Sequence, residues 1–142
     1  MSSALHHASV AIDAPTDVPV IQMTRDFAGT PAQLFRAHTD PDVYVRWIGP
    51  DGYTTEIDRW DARTGGSWRF VNGGHGFFGS FHDVSERRIV QTFTWEGMPE
   101  AVSLETLTLT EVEPGRTRLE VRSVFESFEA RDGMLASGME AA

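Results

Sequence analysis

Residues 58–70 read Asp-Arg-Trp-Asp-Ala-Arg-Thr-Gly-Gly-Ser-Trp-Arg-Phe, and they open an aromatic stretch, broken by glycines, that runs on to Trp95. Three of the chain's four tryptophans and five of its nine phenylalanines fall between Asp58 and Trp95. Short alternating runs separated by glycine turns are typical of antiparallel strands joined by hairpins. The stretch therefore predicts a curved antiparallel sheet around an apolar interior.

The composition limits both the size of the protein and the classes of its partners. A chain of 142 residues suffices for one domain with a sizeable core. Its formal net charge of −9 opposes binding to nucleic acids and to anionic membrane surfaces. The chain has no cysteine, no apolar run near the roughly 18 residues of a membrane span, and no signal-peptide pattern. We therefore expect a cytoplasmic protein that binds no nucleic acid and does not insert into a membrane.

The residues before the aromatic stretch predict a leader, one strand and two short helices. Residues 1–19 show no sustained period, and we expect a flexible leader there, ahead of a domain over residues 20–142. Val20 to Phe27 alternates as a strand. Thr30 then begins a helix that has proline at its first position and a glutamine placed to complete a capping box. The pair Asp40-Pro41 begins a second short helix, which ends at Gly49-Pro50.

Six further strands and a final helix follow. We predict the strands at Tyr53–Trp60, Ser67–Asn72, Phe77–Val84, Ile89–Trp95, Ala101–Val112 and Thr117–Phe125. Leu104 is out of phase with Leu107 and Leu109, which indicates a bulge near Glu105 or Thr106. Ser127 caps the last helix. The predicted fold is α+β: a bent seven-stranded antiparallel sheet with two short helices and a C-terminal helix across its concave face.

Several short motifs in this order resemble a single family. They are Asp40-Pro41, Arg46-Trp47, Gly49-Pro50, Asp58-Arg59, Thr64-Gly65-Gly66-Ser67-Trp68, Gln91-Thr92-Phe93-Thr94-Trp95 and Ser137-Gly138-Met139-Glu140. Together they resemble the bacterial homologues of the activator of heat-shock-protein-90 ATPase, within the START-like or SRPBCC superfamily. The resemblance implies a helix-grip fold with a cavity between the sheet and the last helix. Relatives bind lipids, sterols, polyketides or other apolar molecules, a minority are cyclases or hydrolases, and the chaperone link belongs to the eukaryotic namesake.

The sequence departs from this family at its C-terminus. In relatives the last helix continues well beyond the Gly-Met-Glu motif, whereas this sequence stops at Ala142. A helix from Ser127 to Ala142 would be about 24 Å long and would leave one end of the cavity open. Either the tail is missing from this sequence, or a second copy of the chain closes the gap as a homodimer.

The predicted cavity has a set of candidate lining residues that are aromatic, methionine or histidine. They are Trp47, Trp68, Phe70, Phe78, Phe81, His82, Phe93, Trp95, Met134 and Met139. Aromatic and methionine side chains commonly line apolar pockets. The same residues are equally typical of a filled core, and His82 is equally typical of a surface, since alternation does not distinguish a lining residue from a packing residue.

Metal binding and phosphate binding find little support in the sequence. His75 and His82 lie seven positions apart, with no third ligand at a recognisable spacing. Residues 73–76 are Gly-Gly-His-Gly, but they lack the lysine and the following helix of a phosphate-binding loop, so we expect a flexible loop or a mobile gate there. We expect no metal and no other cofactor.

No catalytic group stands out either. Glu56 and Asp58 lie on one face of a strand and could form a carboxylate pair, but ion pairing with Arg69 across the strands is the simpler interpretation. Arg69 alternates with Trp68 and Phe70, and it is therefore predicted to point away from them.

Three functions are consistent with these observations. The leading hypothesis is a non-catalytic domain that binds a small hydrophobic or aromatic molecule between the sheet and the C-terminal helix. The second is a cyclase or hydrolase that uses the same cavity, with His82, Asp58 or Tyr53 as proton carrier. The third is a stress-related protein-interaction module of the chaperone-activator type.

Overall fold

The computed structural model describes residues 10–46 and 54–136, and it places eight strands in one antiparallel sheet. The elements are β1 (Val10–Asp13), β2 (Val20–Ala28), α1 (Pro31–Thr39), α2 (Pro41–Tyr44), β3 (Thr55–Trp60), β4 (Ser67–Asn72), β5 (His75–Ser85), β6 (Arg88–Trp95), β7 (Ser103–Glu113), β8 (Arg116–Val124) and α3 (Phe128–Ala136). The strand order across the sheet is β1-β2-β8-β7-β6-β5-β4-β3. The predicted α+β class, with its antiparallel sheet, two short helices and C-terminal helix, is confirmed.

The strand count differs from the prediction because the first strand lies in the segment expected to be a flexible leader. β1 pairs antiparallel with β2, with Val10 opposite Arg25 and Asp13 opposite Gln22. Four residues are too few to give a recognisable period in the sequence. Their pairing nevertheless satisfies backbone groups that β2 would otherwise leave open at the edge of the sheet.

The predicted helix starts are confirmed by their hydrogen bonds. In α1 the Thr30 N–H donates to Gln33 Oε1 at 2.8 Å, and the Gln33 N–H donates back to Thr30 Oγ1 at 3.2 Å. Asp40 caps α2 by accepting from a backbone N–H at 3.0 Å. Ser127 Oγ accepts from the Ala130 N–H at 3.1 Å at the start of α3. The predicted end of α2 at Gly49-Pro50 lies outside the described residues.

The bulge predicted in β7 near Glu105 or Thr106 is wrong. Glu105 lies opposite Ser123, and both of its neighbours in the strand also pair in regular register with β8. The register of β7 shifts only near its end, after Glu111. Leu104 is out of phase because it points to the outer face, where it is 44% exposed. Glu105 consequently occupies the inward position of a regular strand.

Residues 73–76, which we expected to be a flexible loop, form a tight hairpin instead. Gly73 and Gly74 have φ values of 57° and 85°, the left-handed conformation that a two-residue hairpin turn requires. His75 already lies in β5, opposite Asn72. The glycines thus shape a turn, and the ladder of hydrogen bonds resumes directly after it.

The core lies on one face of the sheet, which we call the inner face. Its buried members come from β2, α1 and β4 to β8: Phe27, Leu34, Trp68, Phe70, Phe81, Ile89, Leu107, Leu109, Leu119 and Val121. α1 packs against β7 and β8 on this face. It buries Leu34 and Ala37 almost completely.

Gly79 permits the closest contact within this core. It lies in β5 beside Trp68 of β4, and its backbone is buried. A Cβ atom at this position would overlap the Thr92 carbonyl oxygen and would lie 2.8 Å from Cε2 of the Trp68 indole. The indole therefore lies over a strand position that tolerates no side chain.

We expect Gly79→Ala to destabilise the protein by about 2 kcal/mol or more, because the added methyl group must displace strand backbone as well as an indole. Gly133→Ala is the matched control. No neighbouring atom lies near a Cβ at Gly133 in α3, so alanine there should stabilise by about 0.5–1 kcal/mol. Urea unfolding of both variants measures the two effects, and equal effects of the same sign would contradict the prediction.

Candidate functional site

A continuous wall of aromatic rings covers the inner face above β3 to β6. We call this set the aromatic wall: Tyr44, Trp60, Trp68, Phe70, Phe77, Phe81 and Phe93. Trp68 is central, with ring centroids 5.4 Å from Phe70, which stacks on it, and 5.4 Å from Phe93. Phe77 closes the group at 5.4 Å from Phe70 and 5.5 Å from Phe93. Rings at these separations attract one another beyond the burial of their area.

The short helices are fixed to one end of this wall. The Tyr44 ring of α2 lies 4.8 Å from the Trp60 ring and 5.7 Å from the Phe70 ring. The Trp60 indole N–H donates to the Thr39 carbonyl oxygen at 2.7 Å. This bond ties β3 to the junction between α1 and α2, so the phenol of Tyr44 is held over the inner face.

The indole N–H of Trp68 has no such acceptor. Trp68 is 2% exposed, and no described residue accepts a hydrogen bond from its Nε1 atom. A buried donor without a partner costs about 1–3 kcal/mol. The wall thus contains one polar atom whose hydrogen bond the described residues do not supply, and a ligand oxygen placed there would accept it.

A row of polar side chains crosses the inner face beside the wall. We call Gln91, Glu105 and Ser123, which lie opposite one another on β6, β7 and β8, the polar row. Gln91 Nε2 donates to Glu105 Oε1 at 3.0 Å, and the hydroxyl of Ser123 lies 3.5 Å from Glu105 Oε2. The row continues into Phe81 of the wall, which pairs with Gln91. A carboxyl group therefore lies within the apolar interior.

The environment of Glu105 changes its acidity. Burial raises the pKa of Glu105, and the hydrogen bonds from Gln91 and Ser123 offset the change only in part. Burial also raises the pKa of Tyr44, and the charge of Glu105 raises it further. The phenol and the carboxyl are therefore close enough to interact electrostatically, and the phenol stays neutral.

Most of the predicted lining residues that the structure describes lie on the inner face. Trp68, Phe70, Phe81 and Phe93 belong to the aromatic wall. Trp95 pairs with Phe77 at the end of β6 and is 42% exposed. Met134 is half-buried in α3. Trp47 and Met139, together with the candidate proton carrier Tyr53, lie outside the described residues, and contact of any of these side chains with a ligand stays a prediction.

Phe78 and His82 do not lie on the inner face. Phe78 pairs with Arg69, on the face opposite to Phe77. His82 falls between Phe81 and Asp83, where the register of β5 shifts, and its side chain is exposed. Both residues alternate with the inward Phe77 and Phe81, so strict alternation already places them on the outer face, and the prediction combined side chains from both faces.

The predicted ion pairing of Arg69 is confirmed on the outer face. Arg69 Nε lies 2.6 Å from Glu96 Oε2, and Arg69 Nη1 lies 3.4 Å from Asp58 Oδ2. The two carboxylates raise the pKa of Arg69, with the bond to Glu96 as the largest cause. Asp58 therefore pairs outside the sheet and does not face the polar row. Glu56 is exposed as well.

A partly buried histidine, His38, lies in α1. His38 of α1 adjoins a crevice against β6 and β7, but this crevice leaves no room for even a water-sized molecule. Burial lowers the pKa of His38, whose Nδ1 atom contacts the Leu34 carbonyl oxygen at 2.8 Å.

Within residues 10–46 and 54–136, no group of three or more His, Asp or Glu side chains is arranged to hold a metal ion. No helix in these ranges has the length and apolarity needed to cross a membrane.

α3 is anchored to the β2 side of the sheet by one buried side chain, Arg131. Arg131, 6% exposed, donates from Nη1 to the carbonyl oxygens of Pro15 at 2.8 Å and Val20 at 3.1 Å. Its Nε atom donates to Asp132 at 2.7 Å. These bonds hold the start of the C-terminal helix against the segment that leads into β2.

The polar row and Tyr44 were not predicted from the sequence. A bulge was predicted at Glu105 because the leucines around it were expected to share one face. Glu105, Leu107 and Leu109 are two positions apart, however, and so they share a face in a regular strand. Tyr44 carried no comparable signal, because a four-residue helix is too short to show a periodic face.

Comparisons with known proteins give consistent relatives. The family model described as activator of Hsp90 ATPase homolog 1-like protein matches residues 28–142, in agreement with the resemblance of the motifs. A protein from Rhodobacter sphaeroides is 27% identical, with a TM-score of 0.84, covering 94% of this chain and 89% of that one. A protein from Arthrobacter aurescens is 21% identical, with a TM-score of 0.82 and coverages of 92% and 83%. An HSP90 activator from Plasmodium falciparum is 22% identical, with a TM-score of 0.61 and coverages of 74% and 71%. No curated protein matches the chain.

We expect Glu105→Gln to stabilise the protein at neutral pH more than at pH 4. Burial raises the folded-state pKa of Glu105 above its ordinary value of 4.5. Between these two pKa values the folded state holds more protons than the unfolded state, so this group's contribution to stability is lost as the pH rises through that window. Glutamine removes the contribution.

Urea unfolding at pH 4 and pH 7.5 measures the effect. Glu111→Gln, at an exposed position near the end of the same strand, makes the same change in charge and serves as the control. The same dependence of stability on pH in the Glu105→Gln variant and the unaltered protein would show that the Glu105 carboxyl does not titrate as stated.

Proposed function

We propose a binding function for this chain, which belongs to the family of activator of Hsp90 ATPase homolog 1-like proteins. It binds a small hydrophobic or aromatic molecule between the inner face of its sheet and its C-terminal helix, without catalysing a reaction. The observation that carries this proposal is the buried Trp68 N–H, which no described residue satisfies. A fully packed core pairs nearly all of its buried polar atoms. A ligand with an acceptor at this point would complete the pairing.

The chemistry around that atom supports the same proposal. Apolar ligand sites usually combine aromatic walls with a few polar groups that fix orientation. Here the aromatic wall supplies the apolar surface, and the polar row supplies a carboxyl, an amide and a hydroxyl next to it. Arg131 fixes the first turns of α3 against the backbone at the start of β2.

An enzyme of the cyclase or hydrolase type is the second candidate, and Glu105 is the observation that favours it. Burial raises the pKa of this carboxyl, which is the direction that favours proton transfer by a side chain near neutral pH. Of the proton carriers predicted from sequence, His82 and Asp58 lie away from the inner face. Glu105 replaces them as the group to test for proton transfer.

The remaining expectations about partners and location are retained as proposals. The Plasmodium falciparum HSP90 activator shares the fold, and a chaperone-activator role for this chain would require binding to a chaperone ATPase. A homodimer would close the end of the proposed cavity near α3. The mass of the protein in solution measures whether it is a dimer. We keep the cytoplasm as the proposed location.

Native mass spectrometry of protein purified from its own host tests the proposed function, because a bound apolar molecule should co-purify. A compound identified in this way, at a hundredfold excess over its dissociation constant, should stabilise the fold by about 2.7 kcal/mol. If neither the purified protein nor a thermal-shift screen with sterols, fatty acids and aromatic polyketides shows binding, the proposal is wrong.

Phe77 and Phe78 provide a matched pair of substitutions on opposite faces of β5. Both side chains are partly buried, but only Phe77 belongs to the aromatic wall. We expect Phe77→Ala to weaken binding of the identified ligand by roughly tenfold or more, since about 1.5 kcal/mol or more of apolar contact is lost. Phe78→Ala should leave affinity nearly unchanged, even where it lowers stability. Isothermal titration calorimetry measures both, and equal losses would place the ligand elsewhere.

A further inference from the structure

Among the residues that the structure describes, no cation lies beside the carboxyl group of the polar row. In the described part of the chain, Glu105 receives hydrogen bonds only from the neutral groups of Gln91 and Ser123, and it forms no ion pair. A buried carboxylate normally requires a charged or donating partner. The site therefore has unused capacity to bind a hydrogen-bond donor.

Two arginines near the interior, Arg25 and Arg131, lie away from Glu105. Arg25 lies on β2 four residues from Ile21, which pairs with Ser123 of the polar row. At about 3.3 Å per residue, this offset is about 13 Å along the strand. The guanidinium of Arg131 is bound to backbone carbonyl oxygens and to Asp132. Neither arginine is placed to neutralise Glu105.

The aromatic wall, like the Glu105 carboxylate, favours a cationic or hydrogen-bond-donating group over an anion. The faces of aromatic rings carry partial negative charge and attract cations, most strongly when water is excluded. Phe77 and Phe93 of the wall are only half-buried, which leaves part of each ring uncovered, and Phe93 lies two residues from Gln91 on β6. An anion would face both the rings and Glu105, with no described cation at hand to stabilise it.

We propose that the ligand is an apolar, ring-containing molecule that presents a hydroxyl or amine donor to Glu105 and an acceptor to the Trp68 N–H, and that molecules bearing a carboxylate at this position are rejected. This inference rests on the proposed binding function and specifies its ligand class. The backbones of Trp68 on β4 and Glu105 on β7 are three strands apart, or about 14 Å across the sheet, and the indole covers part of this distance by reaching Phe93 on β6. A ring-containing body would span the remainder.

Three probes that share one ring system test the head group: 2-(2-naphthyl)ethylamine, 2-naphthaleneethanol and 2-naphthylacetate. Calorimetric titration of the full chain at neutral pH should show that the amine and the alcohol bind, and that the acid binds roughly tenfold more weakly or worse, as expected for the loss of a hydrogen bond to a charged group. In Glu105→Gln the amine should lose roughly tenfold in affinity, whereas the acid should approach the alcohol. Glu111→Gln is the control and should change none of the three affinities.

The outcomes separate this proposal from the binding function. If the acid binds the unaltered protein as tightly as the amine, or if Glu105→Gln leaves the ratio of the two affinities unchanged, the ligand class is wrong while apolar binding stands. If none of the three probes binds, the ligand class is wrong, and the co-purification experiment decides the binding function separately. Thermal unfolding of each variant confirms that it is folded during the titration.

Discussion

The contact of the Trp68 indole with the bare backbone at Gly79 determines the shape of the interior. Because Gly79 has no side chain, the indole extends over β5 and meets Phe93 of β6, while Phe70 stacks on its other side. Two neighbouring strands thereby share one ring, and the aromatic wall becomes continuous. The cost is the orientation of the indole N–H, which is buried in this wall away from any acceptor among the described residues.

The polar row also reduces the stability of the fold on the same inner face. An apolar residue at Glu105 would continue the pattern of Leu107 and Leu109 and would avoid the desolvation of a carboxyl group. Instead, Gln91 and Ser123 are positioned on the two adjacent strands to hold that carboxyl. Unsatisfied or poorly compensated polar atoms that cluster on one face are typical of binding and catalytic sites. The concentration of two such costs on the inner face is the physical basis of the functional proposals.

The fold was predictable from the sequence because its local signals agree with one another. The capping box at Thr30 and the caps at Asp40 and Ser127 gave helix starts that the hydrogen bonds confirm. The site was less predictable, because residue type alone does not tell which face of a strand a side chain occupies: His82 alternates with the inward Phe81 and faces outward. Glu105 was missed because a bulge was inferred where the register is regular.

The anchoring of α3 explains how such a face could admit a ligand without unfolding. Arg131 binds carbonyl oxygens before and at the start of β2. The Phe125 N–H extends the pairing of β8 with β2 by donating to the Pro19 carbonyl oxygen. The start of the last helix is thus fixed by β2 and β8, at the side of the sheet away from the aromatic wall on β3 to β6. A ligand that contacts Trp68 and Glu105 would not need to break these bonds. The anchor of α3 and the aromatic wall are therefore formed by different residues.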